Sequence, residues 1–267
     1  MPTVKSTDGV AIAYSVAGSG SPALIFVHGW CCDRSYWDFQ VPYFTERYRV
    51  VTVDLAGHGE SGLDRKTWTI RALGDDVVAV VKEIDLKQVV LIGHSIGGTI
   101  ILEATLQMPE RVTGLVAVDT YSHIEPTNAL EQTYRTLAPS PENFAQVMRM
   151  VVKSMFTSNS DPVLAERVIT DMSSAPPEVG LAVLNGMMEA TKQGIVREFE
   201  EVKVPIHCIN SARNPVDIEM ARRHASSFEV KYMQGVGHFV MIEDPATFNR
   251  LLDETVKEIV SRQEGAA

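Results

Sequence analysis

Five short runs of consecutive apolar, mostly β-branched residues punctuate the chain: "ALIFVHG" (23–29), "RVVTVDL" (49–55), "QVVLIGHS" (88–95), "GLVAVDT" (114–120) and "VPIHCIN" (204–210). Runs that are apolar on successive positions, not alternate ones, describe strands covered on both faces, as in a parallel sheet. Between them, "TIRALGDDVVAVVKEIDL" (69–86) and "GTIILEATLQM" (98–108) repeat apolar residues at helical spacing. Strand alternating with helix predicts an α/β sheet with right-handed crossovers. The rhythm breaks after Asp119, where about eighty residues hold no strand pattern before "VKVPIHCIN" resumes it. Four segments there, "TNALEQTYRTLA", "PENFAQVMRMVVKSMF", "DPVLAERVITDM" and "PPEVGLAVLNGMMEATKQ", open on Thr, Pro or Asp, which suit helix starts. Met148, Met150, Met155, Met172, Met187 and Met188 all fall in this helical insertion, either as core filler or as an adaptable apolar wall over a ligand.

Composition narrows the partners. The formal charge of −10 disfavours nucleic acid and anionic membrane surfaces, both of which need a basic face. A neutral or apolar small molecule fits better. Three cysteines, with Cys31 and Cys32 adjacent, give no disulfide framework and suit a reducing compartment, and their plain reading is small buried hydrophobes. No leader-like N-terminus or membrane-spanning run is visible, so the expected location is cytoplasmic. Disorder is expected only in the tail "RQEGAA".

The chemistry concentrates in "VVLIGHSIGGTI", an apolar strand leading through Gly93-His94-Ser95-Ile96-Gly97 into a helix. Gly-x-Ser-x-Gly in that setting is a nucleophile elbow, with the serine on a strained turn and small residues letting strand and helix approach. A serine hydroxyl needs a base to take its proton, normally an imidazole. Of seven histidines, His238 in "MQGVGHFVMIEDP" lies on a late loop after a short strand and before a helix, where a base belongs. His28 and His58 sit in Gly-flanked turns and read as structural; His94 points away; His123, His207 and His224 have no supporting context. The loop "HGW" (28–30) offers a backbone N–H opposite that of Ile96, which makes Trp30 and Ile96 the candidate oxyanion donors.

With "HGW", "DLAGHGES" (54–61), "GHSIGG", "MPERVTGLVAVD" and "GVGHFVMIEDP" in this order, the chain resembles the α/β-hydrolase fold superfamily over essentially its whole length. The resemblance implies a mostly parallel eight-stranded sheet flanked by helices, with a helical cap inserted after strand six. The core would comprise 1–120 and 201–267 and the cap 121–200. It gives "DLAGHGES" no chemistry, so Asp54 and Ser61 read as turn residues.

In that family the acid supporting the histidine commonly follows strand seven, where this chain has Ser211-Ala212-Arg213-Asn214-Pro215-Val216. An amide cannot stabilise an imidazolium by charge, so Asn214 would be a weak third member. Asp119, at the end of strand six, is the favoured acid, since some family members place theirs there. Asp217 could swing in, but Asp-Ile-Glu before a helical run reads as an N-cap. An altered, weakened site is the remaining option. Ser95 also argues against dehalogenase and epoxide hydrolase chemistry, which need a carboxylate nucleophile. The expectation is a cofactor-independent serine esterase using Ser95, His238 and Asp119 on a small-molecule ester, with no metal, as a monomer or homodimer. Lactonase or carbon–carbon bond hydrolase activity, or a slow-turnover ligand sensor, are the alternatives.

Overall fold

A computed structural model describes residues 1–264. Of the tail, Arg262 to Glu264 extend the last helix, and 265–267 lie outside the described residues.

Among these residues eight strands form one sheet: β1 (Thr3–Lys5), β2 (Ala11–Ala17), β3 (Ala23–Val27), β4 (Val50–Val53), β5 (Val89–His94), β6 (Val112–Val118), β7 (Ile206–Ser211) and β8 (Phe228–Met233). Their order is β1-β2-β4-β3-β5-β6-β7-β8. The first two pairings, β1 with β2 and β2 with β4, are antiparallel, and all later ones are parallel. This is the sheet the resemblance implies. Every residue of β3, β4, β5, β6 and β7 is buried, which is why those segments read as continuous apolar runs.

The helices are α1 (Val41–Phe44), α2 (Ile70–Glu83), α3 (Ile96–Gln107), α4 (Ala129–Leu137), α5 (Phe144–Ser154), α6 (Pro162–Ser173), α7 (Pro177–Gln193), α8 (Val196–Glu201), α9 (Ile218–His224), α10 (Val240–Glu243) and α11 (Pro245–Glu264). Helices α4 to α8 occupy the interval between β6 and β7. Asp161 caps α6, accepting the Val163 N–H at 2.8 Å. The two ends of the insertion are clasped together: Ile195 N–H donates to Ile124 O at 2.9 Å and Thr127 N–H to Thr191 O at 3.0 Å. Its methionines divide by role, with Met148 and Met172 buried, Met150 exposed, and Met155 and Met187 lining a cavity. The cysteines Cys31, Cys32 and Cys208 are free and buried. Among the described residues no helix is long and apolar enough to cross a membrane.

Candidate active site

Strand β5 delivers Ser95 to the sheet's carboxyl edge on a backbone turn of φ 54° and ψ −122°, outside the regions a residue with a side chain ordinarily occupies. The turn is held from both sides, Ser95 N–H donating to Val118 O at 2.8 Å and Gly98 N–H to Ser95 O at 2.9 Å. Two glycines make it possible. A Cβ on Gly93 would stand 2.2 Å from Gly97 O, and one on Gly97 would stand 2.7 Å from Val27 O. Strand and helix therefore cross at backbone contact. The N-terminus of α3, with its unpaired N–H groups, faces the space beside the serine.

Asp119 follows β6 in a left-handed conformation of φ 50° and is 3% exposed. Its Oδ1 accepts the Ser211 N–H at 2.6 Å, fixing the carboxylate against the end of β7, and its Oδ2 lies 2.6 Å from His238 Nδ1. With Nδ1–H donating to Asp119, His238 Nε2 is left free to accept a proton. Asn214 lies on the same cavity, but its hydrogen bonds run through its backbone, to Ser211 O and from the Asn210 side chain. Asp217 caps α9, accepting the Met220 N–H at 2.9 Å, and is not among the residues that line the cavity with His238.

Ser95, Ile96, Asp119 and His238 line one cavity of about 430 Å³. Its apolar wall includes Ile70, Leu130, Met155, Met187 and Ile195, and Arg213 and His123 sit among its polar lining. The Ser95 hydroxyl makes no hydrogen bond among the described residues, to His238 or to any other group. Trp30 is not part of the cavity lining. Its indole is locked beneath the insertion, Nε1–H donating to Gly180 O at 2.9 Å with Tyr134 and Phe144 edge-on to the ring. The loop carrying it does pass Ser95, since a Cβ on Gly29 would lie 3.3 Å from Ser95 Cβ. The N–H groups of Trp30 and Ile96 have no acceptor among the described residues.

The histidines read as structural hold that loop. His28 Nδ1–H donates to Gly29 O at 2.8 Å and its Nε2 accepts the Leu55 N–H at 3.0 Å. His58 Nδ1–H donates to Ala56 O at 2.9 Å, and its Nε2 accepts the Cys31 N–H at 3.3 Å. Both roles need a neutral ring. Burial lowers His28 to about 4 and His58 to about 3. His94 is also buried, which holds it well below its ordinary value, and its Nε2–H donates to His238 O at 3.0 Å. It thus packs against the histidine loop, its ring 4.7 Å from that of His238. Asp54 and Ser61 hold their turn: Asp54 accepts the Arg34 and Glu60 N–H groups, and the Ser61 hydroxyl donates to Asp54 O. Sequence reasoning gave no role to Glu243, whose carboxylate accepts the N–H groups on either side of His238. Only its place five residues after the histidine could have marked it. Among the described residues no group of three or more His, Cys, Asp or Glu side chains is placed to hold a metal ion.

Comparison with known proteins places the chain in a family. A 3-oxoadipate enol-lactonase of Acinetobacter baylyi is 23% identical over 256 residues, covering 93% of this chain and 94% of its own. The karrikin insensitive 2 receptor CA of Petunia hybrida is 23% identical over 249 residues, covering 86% of this chain and 90% of its own. Among solved structures, a thermophilic esterase from Thermogutta terrifontis superposes with a TM-score of 0.80 at 21% identity, over 97% of this chain and 98% of that one. The sequence pattern described as "Alpha/beta hydrolase family" matches residues 24–251, most of the chain, and the protein belongs to that family.

Proposed function

We propose that the protein is a serine hydrolase that cleaves carboxylic esters of small, largely apolar substrates through an acyl-enzyme. The observation that carries this reading is the 2.6 Å contact between Asp119 and His238 on the cavity that Ser95 also lines. Residues 121–200 act as the cap over that cavity, and the apolar wall that Leu130, Met155, Met187 and Ile195 share with Ile70 receives the acyl or alcohol group.

In the reaction, Ser95 Oγ attacks the ester carbonyl carbon as His238 Nε2 takes the hydroxyl proton. The electron pair displaced from the carbonyl bond resides on the former carbonyl oxygen, which the Trp30 and Ile96 N–H groups receive at the N-terminus of α3. Collapse breaks the bond to the alcohol oxygen, and His238 gives that oxygen its proton. Water then attacks the acyl-enzyme, passing a proton to His238, and the second collapse releases the acid and returns the proton to Ser95. Asp119 keeps Nδ1 protonated and offsets the charge of the imidazolium.

The test is kcat/KM for p-nitrophenyl butyrate. Asp119→Asn should lower it about ten-thousandfold, the scale of losing a triad carboxylate. Retention of full activity by Ser95→Ala would sink the proposal. The full-length similarity to an enol-lactonase supports a second reading, ring-opening of lactones by the same residues. Rates on a lactone panel beside linear esters separate the two. The similarity to a receptor supports a slow-turnover sensor, for which fluorophosphonate would label Ser95 without steady hydrolysis.

A further inference from the structure

The segment Gly237-His238-Phe239 has each of its three N–H groups tied, and two of them lead to one side chain. Glu243 Oε1 accepts the Gly237 N–H at 3.0 Å and the Phe239 N–H at 3.1 Å. Its Oε2 accepts the Gly237 N–H at 2.9 Å and the Ser160 hydroxyl at 2.5 Å. Between them, the His238 N–H donates to Met155 O at 2.9 Å and His238 O accepts from His94. A Cβ on Gly237 would stand 2.3 Å from Met155 O and 2.9 Å from Glu243 Oε1, so a glycine is needed there for both to approach.

Every partner donates to the Glu243 carboxylate, the Gly237 N–H being shared between its two oxygens. An amide at this position has one oxygen and one NH₂ group; the Ser160 hydroxyl can turn to accept from the NH₂, but the Gly237 N–H, which also leans on Oε2, would face it as a donor. A carboxylate accepts from all three groups at once, whereas an amide meets only part of the set. Met155 and Ser160 both belong to the turn between α5 and α6, so the same few atoms join the histidine loop to the insertion. The nearby contacts extend the join: Arg213 Nη1–H donates to Phe156 O at 2.9 Å and the Thr157 hydroxyl to Gly235 O at 3.4 Å.

We propose that Glu243 is a positioning residue for His238, and that through Ser160 it makes the setting of that imidazole depend on how the α5–α6 turn is seated. This rests on the reading of His238 as the base. A rotation of the peptides at 237 and 239 would swing the ring about both its Asp119 and its Ser95 sides. Displacement of a reacting group by about 1 Å can cost a hundredfold in rate.

The experiment compares the parent with Glu243→Ala, Glu243→Gln and Ser160→Ala by three readouts. These are the low-field proton resonance of His238 Nδ1–H, assigned by its loss in His238→Gln; kcat and KM for p-nitrophenyl butyrate; and the melting temperature. Glu243→Ala should broaden the resonance or move it upfield, and should lower kcat by up to about a hundredfold with KM roughly unchanged. Glu243→Gln should fall between it and the parent. Ser160→Ala should shift the resonance with a smaller loss in kcat. If Glu243→Ala melts lower but keeps both the resonance and kcat, Glu243 is a loop staple and the proposal is overturned. If Ser160→Ala matches the parent in both, the link to the insertion is overturned. Should Glu243→Ala not fold, the Gln and Ser160 variants decide the question. The resonance reads His238 without substrate, so a parent that fails to hydrolyse the ester refutes the esterase reading and leaves this test intact.

Discussion

Ser95 combines a positive φ with a side chain, a conformation that costs roughly 1–3 kcal/mol and persists because its neighbours enforce it. Ser95→Gly removes that strain, so the variant should melt roughly 2–4 °C above the parent while losing ester hydrolysis, a result read by calorimetry beside the butyrate assay. At the acid position the residues give three distinct expectations. Asp119→Asn should abolish turnover, Asn214→Ala should leave it nearly unchanged, and Asp217→Ala should cost about 1 kcal/mol of stability through α9 with kcat preserved. Ser95 and His238 could be singled out in the sequence because each sits in a contiguous motif whose neighbours declare its setting. The Asp119 contact could be read only as one of several options, because it depends on two strand ends lying side by side and not on residues adjacent in the chain. Glu243 was invisible for a related reason: its partners beside His238 are main-chain N–H groups, which no residue type announces, and Ser160 lies far away in the chain.

The elbow is the element on which the site depends, since β5 and α3 meet there through backbone atoms, as α3 does with the end of β3. Gly97→Ala would drive a methyl against Val27 O and His28 O, at 2.7 and 2.8 Å, and neither carbonyl can rotate away as a side chain could. The expected loss is at least the 1–3 kcal/mol typical of overpacking, seen as a lower urea midpoint. The five central strands and the four longer helices of the insertion were legible because burial on both faces, or on one helical stripe, leaves a continuous signature. Helix α8 left none. Its six residues are mostly charged, and only Glu198 and Phe199 are buried. Strand β1 is three residues of edge with an exposed pattern, too short for alternation to register.

Across the whole molecule, four histidines are buried in neutral form: His28 and His207 are lowered to about 4, His58 to about 3, and His94 well below its ordinary value. Below about pH 6.5 the unfolded chain takes up protons that the folded chain refuses, so stability is full above that pH and falls on acidification toward 4. Each such histidine contributes up to about 1.4 kcal/mol per pH unit within that window. Burial pushes Asp54 and Asp76 upward, which opposes this from the carboxylate side and makes the fall between pH 7.5 and 5 smaller than the histidines alone would give. A urea midpoint that drops steadily over that range is the expected result. The insertion has a different consequence at this scale. Its entry and exit strands of chain meet at Ile124 and Ile195, joined by a direct backbone hydrogen bond, so the excursion begins and ends at nearly one place. A segment bounded in this way can lengthen, shorten or be exchanged between descendants without moving the frame that hosts it. Selection can therefore revise what enters the cavity while inheriting, untouched, the elbow beneath it.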